Sequence, residues 1–281
     1  MLVLCCGMIR SGSTLQYNLT RSLVEAADRG RTHGWLASRP GPDYATRADL
    51  EKLAAGDEML VAKSHNLLGI DENPLPDGGF ALCYCYRDIR DVAGSAKTFW
   101  ESEGDALMRR IEEALQAFDR VQGMPNCLMQ SYELLTGDTD AAAAQIAEHL
   151  KLGLSEDAIG EVAAAWSSDR VAQRSSSGST SAMKRVKRMI DASGLRGPAR
   201  VVFRMLPTQA RKRLNPLHGD DSLLHERHVS SFTRDGLQSR AALTDDELRR
   251  VMEIGGAWLE AMGYETAEPE RAADGAHGAP A

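Results

Sequence analysis

The chain opens Met1-Leu-Val-Leu-Cys-Cys-Gly7-Met-Ile-Arg10-Ser-Gly12-Ser-Thr14-Leu-Gln-Tyr-Asn-Leu-Thr20. Residues 2–6 are apolar and end at Gly7, the pattern of a strand buried on both faces. The polar stretch from Arg10 to Thr14 reads as a loop. The residues after it predict a helix from about Thr14 to Ala27. A strand, a glycine-bounded loop and a helix start place backbone N–H groups and a helix N-terminus around one point, where an anion can sit. Gly7-x-x-x-x-Gly12-Ser13-Thr14 has P-loop spacing, with Ser13 where the P-loop lysine belongs. Arg10 supplies a cation two residues before Gly12 instead. Without the lysine the loop is poorly suited to a γ-phosphate, although it can still cradle a phosphate. The bland alternative is a Gly/Ser turn joining strand to helix.

Further along, residues 59–63, 80–86 and 126–131 read as three more short strands. Leu107, Ile111, Leu115 and Phe118 recur at helical spacing between the last two. Strands alternating with helices predict an α/β fold, a central, mostly parallel sheet flanked by helices, P-loop NTPase-like in order. Beyond residue 138 helices dominate, at about 139–151 and 155–173. Thr244-x-x-Glu247 is a capping-box signature that opens a helix with Val251, Trp258 and Leu259 on its apolar side. These features predict one domain over residues 1–264, with a helical insertion or lid at about 174–225. The Ala/Gly/Pro/Glu-rich tail, 265–281, is expected to be disordered.

Apolar residues make up 43% of the chain, enough for a sizeable core without disulfides or metal. A net charge of −7 argues against a general nucleic-acid binder. Cys5, Cys6, Cys83, Cys85 and Cys127 are odd in number and mostly in strand-like apolar runs, which predicts buried, reduced thiols. They lack zinc-ligand spacing, so no metal is expected. The opening run is too short for a signal peptide and lacks its basic start, and no run of about 18 apolar residues could span a bilayer. A cytoplasmic protein is therefore expected. Residues 181–213 hold ten Lys or Arg against the single acid Asp191. A basic amphipathic stretch of this kind suits a solvated lid, an anionic acceptor, or peripheral contact with the inner face of an anionic membrane.

Two further motifs bear on chemistry. Lys63-Ser-His65 ends the strand 59–63. Alternation places Lys63 and His65 on one face, at the carboxyl end where ligands bind open parallel sheets. There the histidine can serve as general base and the lysine can neutralise a leaving oxygen. A surface lysine and a capping histidine are the plain alternative. Tyr86-Arg-Asp-Ile-Arg-Asp-Val-Ala-Gly-Ser95 leaves the strand 80–86 and enters a helix. Arg87 and Ser95 can converge on one phosphate, which the planar guanidinium fork suits. An Arg–Asp network at the helix start is the alternative, and the two are compatible.

Together these residues resemble a sulfotransferase that uses 3′-phosphoadenosine 5′-phosphosulfate (PAPS), of the bacterial type. Arg10-Ser-Gly-Ser-Thr-Leu15 is similar to that family's Lys-Ser-Gly-Thr-Thr-Trp. Arg87, Asp91, Val92 and Ser95 match its Arg-x-x-x-Asp-Val-x-x-Ser. Lys63-Ser-His65 resembles its Lys-Thr-His, and Tyr132-Glu-Leu-Leu135 its Tyr-Glu-Asp-Leu. The motifs fall in family order over residues 1–152. The resemblance implies that Arg10, Ser11, Gly12, Ser13 and Thr14 hold the 5′-phosphosulfate and that Arg87 and Ser95 hold the 3′-phosphate. It implies that Tyr132 lies near the adenine. His65 would deprotonate an acceptor hydroxyl or amine, while Lys63 and Arg10 would stabilise charge during transfer.

The sequence departs from that pattern in three places. Leu15 replaces an adenine-stacking tryptophan, and Arg10 replaces a lysine. For the C-terminal Arg-Lys-Gly-x-x-Gly loop the nearest stretch is Arg234-Asp-Gly236, which makes Arg234 and Gly236 its cofactor-binding counterparts. A P-loop kinase or NTPase would want a lysine after Gly12 and an acidic magnesium ligand at a strand end. A catalytically inert nucleotide-binding module is the remaining alternative. The acceptor, whether small molecule, glycan or lipid, is unspecified by the sequence. Its walls are expected in residues 31–58 and 174–230.

Overall fold

The computed structural model describes residues 1–37, 43–76, 78–167, 170 and 237–266. Five strands form one sheet: β1 (Leu2–Gly7), β2 (Gly30–Trp35), β3 (Met59–Lys63), β4 (Phe80–Tyr86) and β5 (Cys127–Ser131). Their order is β2-β3-β1-β4-β5, and every pairing is parallel. The helices are α1 (Ser13–Ala26), α2 (Arg47–Ala54), α3 (Ile89–Trp100), α4 (Gly104–Gln122), α5 (Tyr132–Gly137), α6 (Thr139–His149), α7 (Glu156–Ala165), α8 (Leu237–Arg240) and α9 (Asp245–Ala261).

Strand alternation divides the core into two layers. Leu2, Leu4 and Cys6 of β1 pack with Leu107, Ile111 and Phe118 of α4 and with Val251 and Leu259 of α9. Val3 and Cys5 point the other way, towards Leu15, Leu19 and Leu23 of α1, Ile146 of α6 and Trp166. With both faces covered, the central strand has no polar side, which explains the unbroken apolar run at the start of the chain. All five cysteines are unpaired thiols; four are buried and Cys127 is half-buried.

The four expected strands are present. The fifth, β2, is Gly30-Arg-Thr-His-Gly-Trp35, a polar stretch with no apolar signal. As the edge strand beside β3 it has less apolar surface to cover, so burial imposes no hydrophobic pattern on it. The helix expected over 155–173 is seen as α7, which stops at Ala165. Trp166 follows it, donating from Nε1 to Ser22 Oγ at 2.9 Å and tying that end to α1. The Thr244–Glu247 capping box is formed, with each side chain bonded to the other residue's backbone N–H. The insertion at about 174–225, the basic stretch 181–213, Arg234, Gly236 and residues 267–281 lie outside the described residues. No helix among the described residues is long and apolar enough to cross a membrane.

Register brings the motifs together. Cys5 of β1 pairs with Lys63 of β3, and Gly7 pairs with Cys85 of β4. The carboxyl ends of β1, β3 and β4 are therefore level, and the residues just past them gather at one edge of the sheet. The chain passes from β1 to one side of the sheet and later to the other, so this edge is a topological switch point.

The short helix α8 docks on α3 at Gly94, where an added Cβ would lie 1.8 Å from the Ser239 carbonyl oxygen. The docking is fastened by Arg240, whose guanidinium donates to Asp91 Oδ1 at 2.6 Å and Asp88 Oδ2 at 2.7 Å. Gly94→Ala is expected to force the two helices apart and to cost at least the about 1–3 kcal/mol of an overpacked core. Urea unfolding should show a lower midpoint; an unchanged midpoint would mean that this contact contributes nothing to stability.

Candidate active site

The loop after β1 turns sharply. Arg10 has φ 60° and Gly12 has φ 86°, both left-handed. At Gly12 this conformation favours glycine, and a Cβ there would lie 2.8 Å from the Tyr132 ring. At Arg10 it carries strain of order 1–3 kcal/mol, of the kind that accumulates at functional sites. Ser11 pins the loop from below, its Oγ lying 2.7 Å from the Met8 carbonyl and 2.8 Å from that of Cys85. No side chain caps the N-terminus of α1, so its first N–H groups face the space above the loop. An anion is the natural complement of that end.

The cations of the other motifs converge on this loop. Lys63 is 2% exposed, and its Nζ donates to Ser13 Oγ at 2.8 Å. A cation from β3 thus reaches the position where a P-loop would carry its own lysine. Burial pushes the Lys63 pKa down to about 8, offset in part by the thiols of Cys5, Cys6 and Cys85. At pH 7 it is still mostly charged. Arg10 Nε donates to Ser95 Oγ at 2.9 Å, joining the first motif to the third. Arg87 is 1% exposed. Its Nη1 reaches the Arg10 carbonyl at 3.4 Å, and its guanidinium lies over the Tyr132 ring, 4.0 Å from the centroid. Its Nε is buried without a hydrogen-bond partner, because Asp91 Oδ2 stands 3.9 Å away. A buried, orphaned guanidinium N–H beside a second guanidinium is costly unless an anionic oxygen completes it. Burial first, then Arg87, lowers the pKa of Arg10 from its ordinary value, consistent with two like charges held close.

A cavity of about 580 Å³ opens above the loop. Arg10 to Thr14, His65 and Tyr132 line it directly. Lys63, Ser95 and Arg87 stand one layer behind, acting through Ser13, Arg10 and Tyr132 respectively. The alternation argument for Lys63 and His65 needs correcting. β3 ends at Lys63, Ser64 still donates its N–H to the Cys5 carbonyl, and the chain bends at His65 and Asn66, so Lys63 is buried under the loop while His65 is exposed in the cavity. Trp35 holds the imidazole edge-on, with ring centroids 4.6 Å apart and planes at 72°. Desolvation, then repulsion from Lys63, depresses the His65 pKa to about 4. The imidazole is therefore neutral at pH 7.

The carboxylates of the third motif are occupied. Asp88 caps α3 at the Arg90 N–H and pairs with the Arg90 and Arg240 guanidiniums; Asp91 pairs with Arg240. The Arg–Asp network expected as the alternative reading of that motif is present at the helix start. Arg240, which anchors the network, carries no sequence signal because its partners lie about 150 residues away. Phe99, Trp100 and Arg110 also line the cavity and belong to none of the motifs. Trp35 and Ala37, by contrast, fall in the stretch expected to wall the acceptor site.

No protein-family model matches the chain, and no curated protein matches it. Solved structures do. A retinol dehydratase in a complex with retinol and PAP covers 95% of this chain and 83% of its own, at 14% identity and a TM-score of 0.51. Retinol dehydratase with androsterone and inactive cofactor PAP gives 14% identity and a TM-score of 0.49 over 95% and 82%. A mouse sulfotransferase complexed with PAP gives 14% and 0.39 over 61% and 65%. At 14% identity the 0.51 superposition speaks to architecture alone: this chain shares the α/β fold of that retinol dehydratase, here a parallel sheet with a phosphate-loop-like turn after β1.

Proposed function

We propose that the protein transfers the sulfuryl group of PAPS to a hydroxyl, or an amine, of a small acceptor. The observation that carries this reading is the Arg87 Nε, buried without a hydrogen bond and with only the distant Asp91 carboxylate for company, beside Arg10 and next to the uncapped start of α1. That geometry suits a ligand with two separate anionic groups. Arg10 to Thr14 would hold the 5′-phosphosulfate, Arg87 and Ser95 the 3′-phosphate, and Tyr132 would lie against the nucleoside. PAP in the structural neighbour supports the same reading. Bound there, the donor would supply a sulfuryl group on a mixed phosphate–sulfate anhydride.

The chain's own residues then have defined tasks. His65, neutral and at the cavity wall, takes the acceptor's proton. Among the described residues the cavity wall contains no Asp or Glu that could do so instead. Lys63, through Ser13, and Arg10 neutralise charge on the phosphate side. Preorganised cations in a desolvated site act more strongly than they would in water. Phosphoryl transfer is the less favoured reading, because the strand-end carboxylates Asp88 and Asp91 are neutralised by Arg90 and Arg240 instead of facing the loop.

The test is calorimetric titration with PAP and, separately, with ATP and magnesium. PAP is expected to bind at least about tenfold more tightly, the equivalent of one charge-assisted contact. Tighter binding of magnesium–ATP would replace this reading with the kinase one.

A further inference from the structure

The cavity extends past the loop to a wall of Trp35, Phe99, Trp100 and Arg110, where the Arg10 guanidinium lies over the Phe99 ring, 4.4 Å from its centroid. Trp35 and Phe99 are half-buried there, and Trp100 is 39% exposed, one of only two large apolar side chains so exposed among the described residues. Arg110 of α4 completes the wall. Its guanidinium lies 4.9 Å from the Trp100 ring centroid, and its Nε donates to Ser102 Oγ at 3.2 Å. No described carboxylate pairs with Arg110, in contrast to the neighbouring Arg240 and Arg250, which are paired. The one hydrogen bond orients the fork and leaves its terminal nitrogens for a ligand. Every charged residue on the described wall is basic.

An aromatic wall that ends in an oriented, unpaired arginine has a definite complement. We infer that the acceptor is an aromatic hydroxy acid, with its flat body against Trp35, Phe99 and Trp100, its carboxylate on Arg110 and its hydroxyl towards His65. Arg110 is on this view a specificity residue: it selects the acceptor's charge and offsets repulsion between an anionic acceptor and the anionic donor. The inference rests on the sulfuryl-transfer reading and goes further by naming the acceptor class.

The test uses the full chain saturated with PAP and a matched pair of probes, 3-(4-hydroxyphenyl)propanoate and its methyl ester. Binding is followed by tryptophan fluorescence, which Trp35 and Trp100 in the wall should report, and by calorimetry. The acid is expected to bind about tenfold or more tightly than the ester, as a charge-assisted hydrogen bond implies. Arg110→Gln should remove that preference and Arg110→Lys should keep most of it. Equal affinity for the two probes, binding of neither at millimolar concentration, or a preference that survives Arg110→Gln overturns the inference while PAP binding stands. Failure of the wild type to bind PAP overturns the underlying reading instead.

Discussion

His65→Ala is expected to lower kcat by about 10²–10⁴-fold, the usual contribution of a positioned general base, while leaving PAP affinity nearly unchanged. The split follows from geometry. His65 is exposed in the cavity, whereas the donor's anionic groups would be held by the loop, Arg87 and Ser95, so its removal costs the proton acceptor and not the cofactor grip. The low pKa has a consequence of its own. Desolvation and Lys63 hold the imidazole at about 4, so it is already unprotonated across the neutral range. Bound anions would favour the imidazolium and raise that value. The imidazole proton resonances of His65 should therefore titrate below pH 6.5 in the free protein and move to higher pH when PAP is added. Near-normal turnover of His65→Ala, with the fold intact by thermal unfolding, would mean that another group removes the proton.

Arg87→Ala is expected to act on cofactor affinity instead. Removing one partner of a desolvated charged pair typically costs about 2–5 kcal/mol, which is about 30-fold or more in Kd. The loss should be confined to ligands that carry the 3′-phosphate. Wild type should bind PAP well above adenosine 5′-phosphate, and Arg87→Ala should bind the two nearly alike. Because Arg87 also lies over Tyr132 and near Asp91, some loss of stability is expected too. Arg87→Lys separates the effects, since it keeps the charge but not the planar fork. Equal wild-type affinity for the two nucleotides would remove the 3′-phosphate site from the proposal, and with it the reason to assign PAPS.

What could be read in the sequence were features set by local rules. Residues 2–6 read as a buried strand and the stretch from Arg10 to Thr14 as a loop leading into a helix, and both are present. Four strands, the helix α4 and the Thr244 capping box followed from periodicity and side-chain chemistry. So did the parallel α/β class, and so did the grouping of Lys63, His65, Arg87 and Ser95, because each motif closes a strand and parallel strands bring those ends level. Tertiary structure alone decided the rest. β2 was invisible because an edge strand need not be apolar on either face. The bend at His65 and Asn66 left Lys63 buried and His65 exposed, which alternation within a strand could not foresee. Lys63 reaching Ser13, Arg10 reaching Ser95 and Arg240 clamping Asp88 and Asp91 join residues 50, 85 and about 150 positions apart. Phe99, Trp100 and Arg110 form one wall only because α3 ends where α4 begins to pass it. Local sequence encodes turns, caps and periodicity, whereas partners brought together by packing leave no spacing to read, and the Trp35, Phe99, Trp100 and Arg110 wall of this cavity is built from such partners.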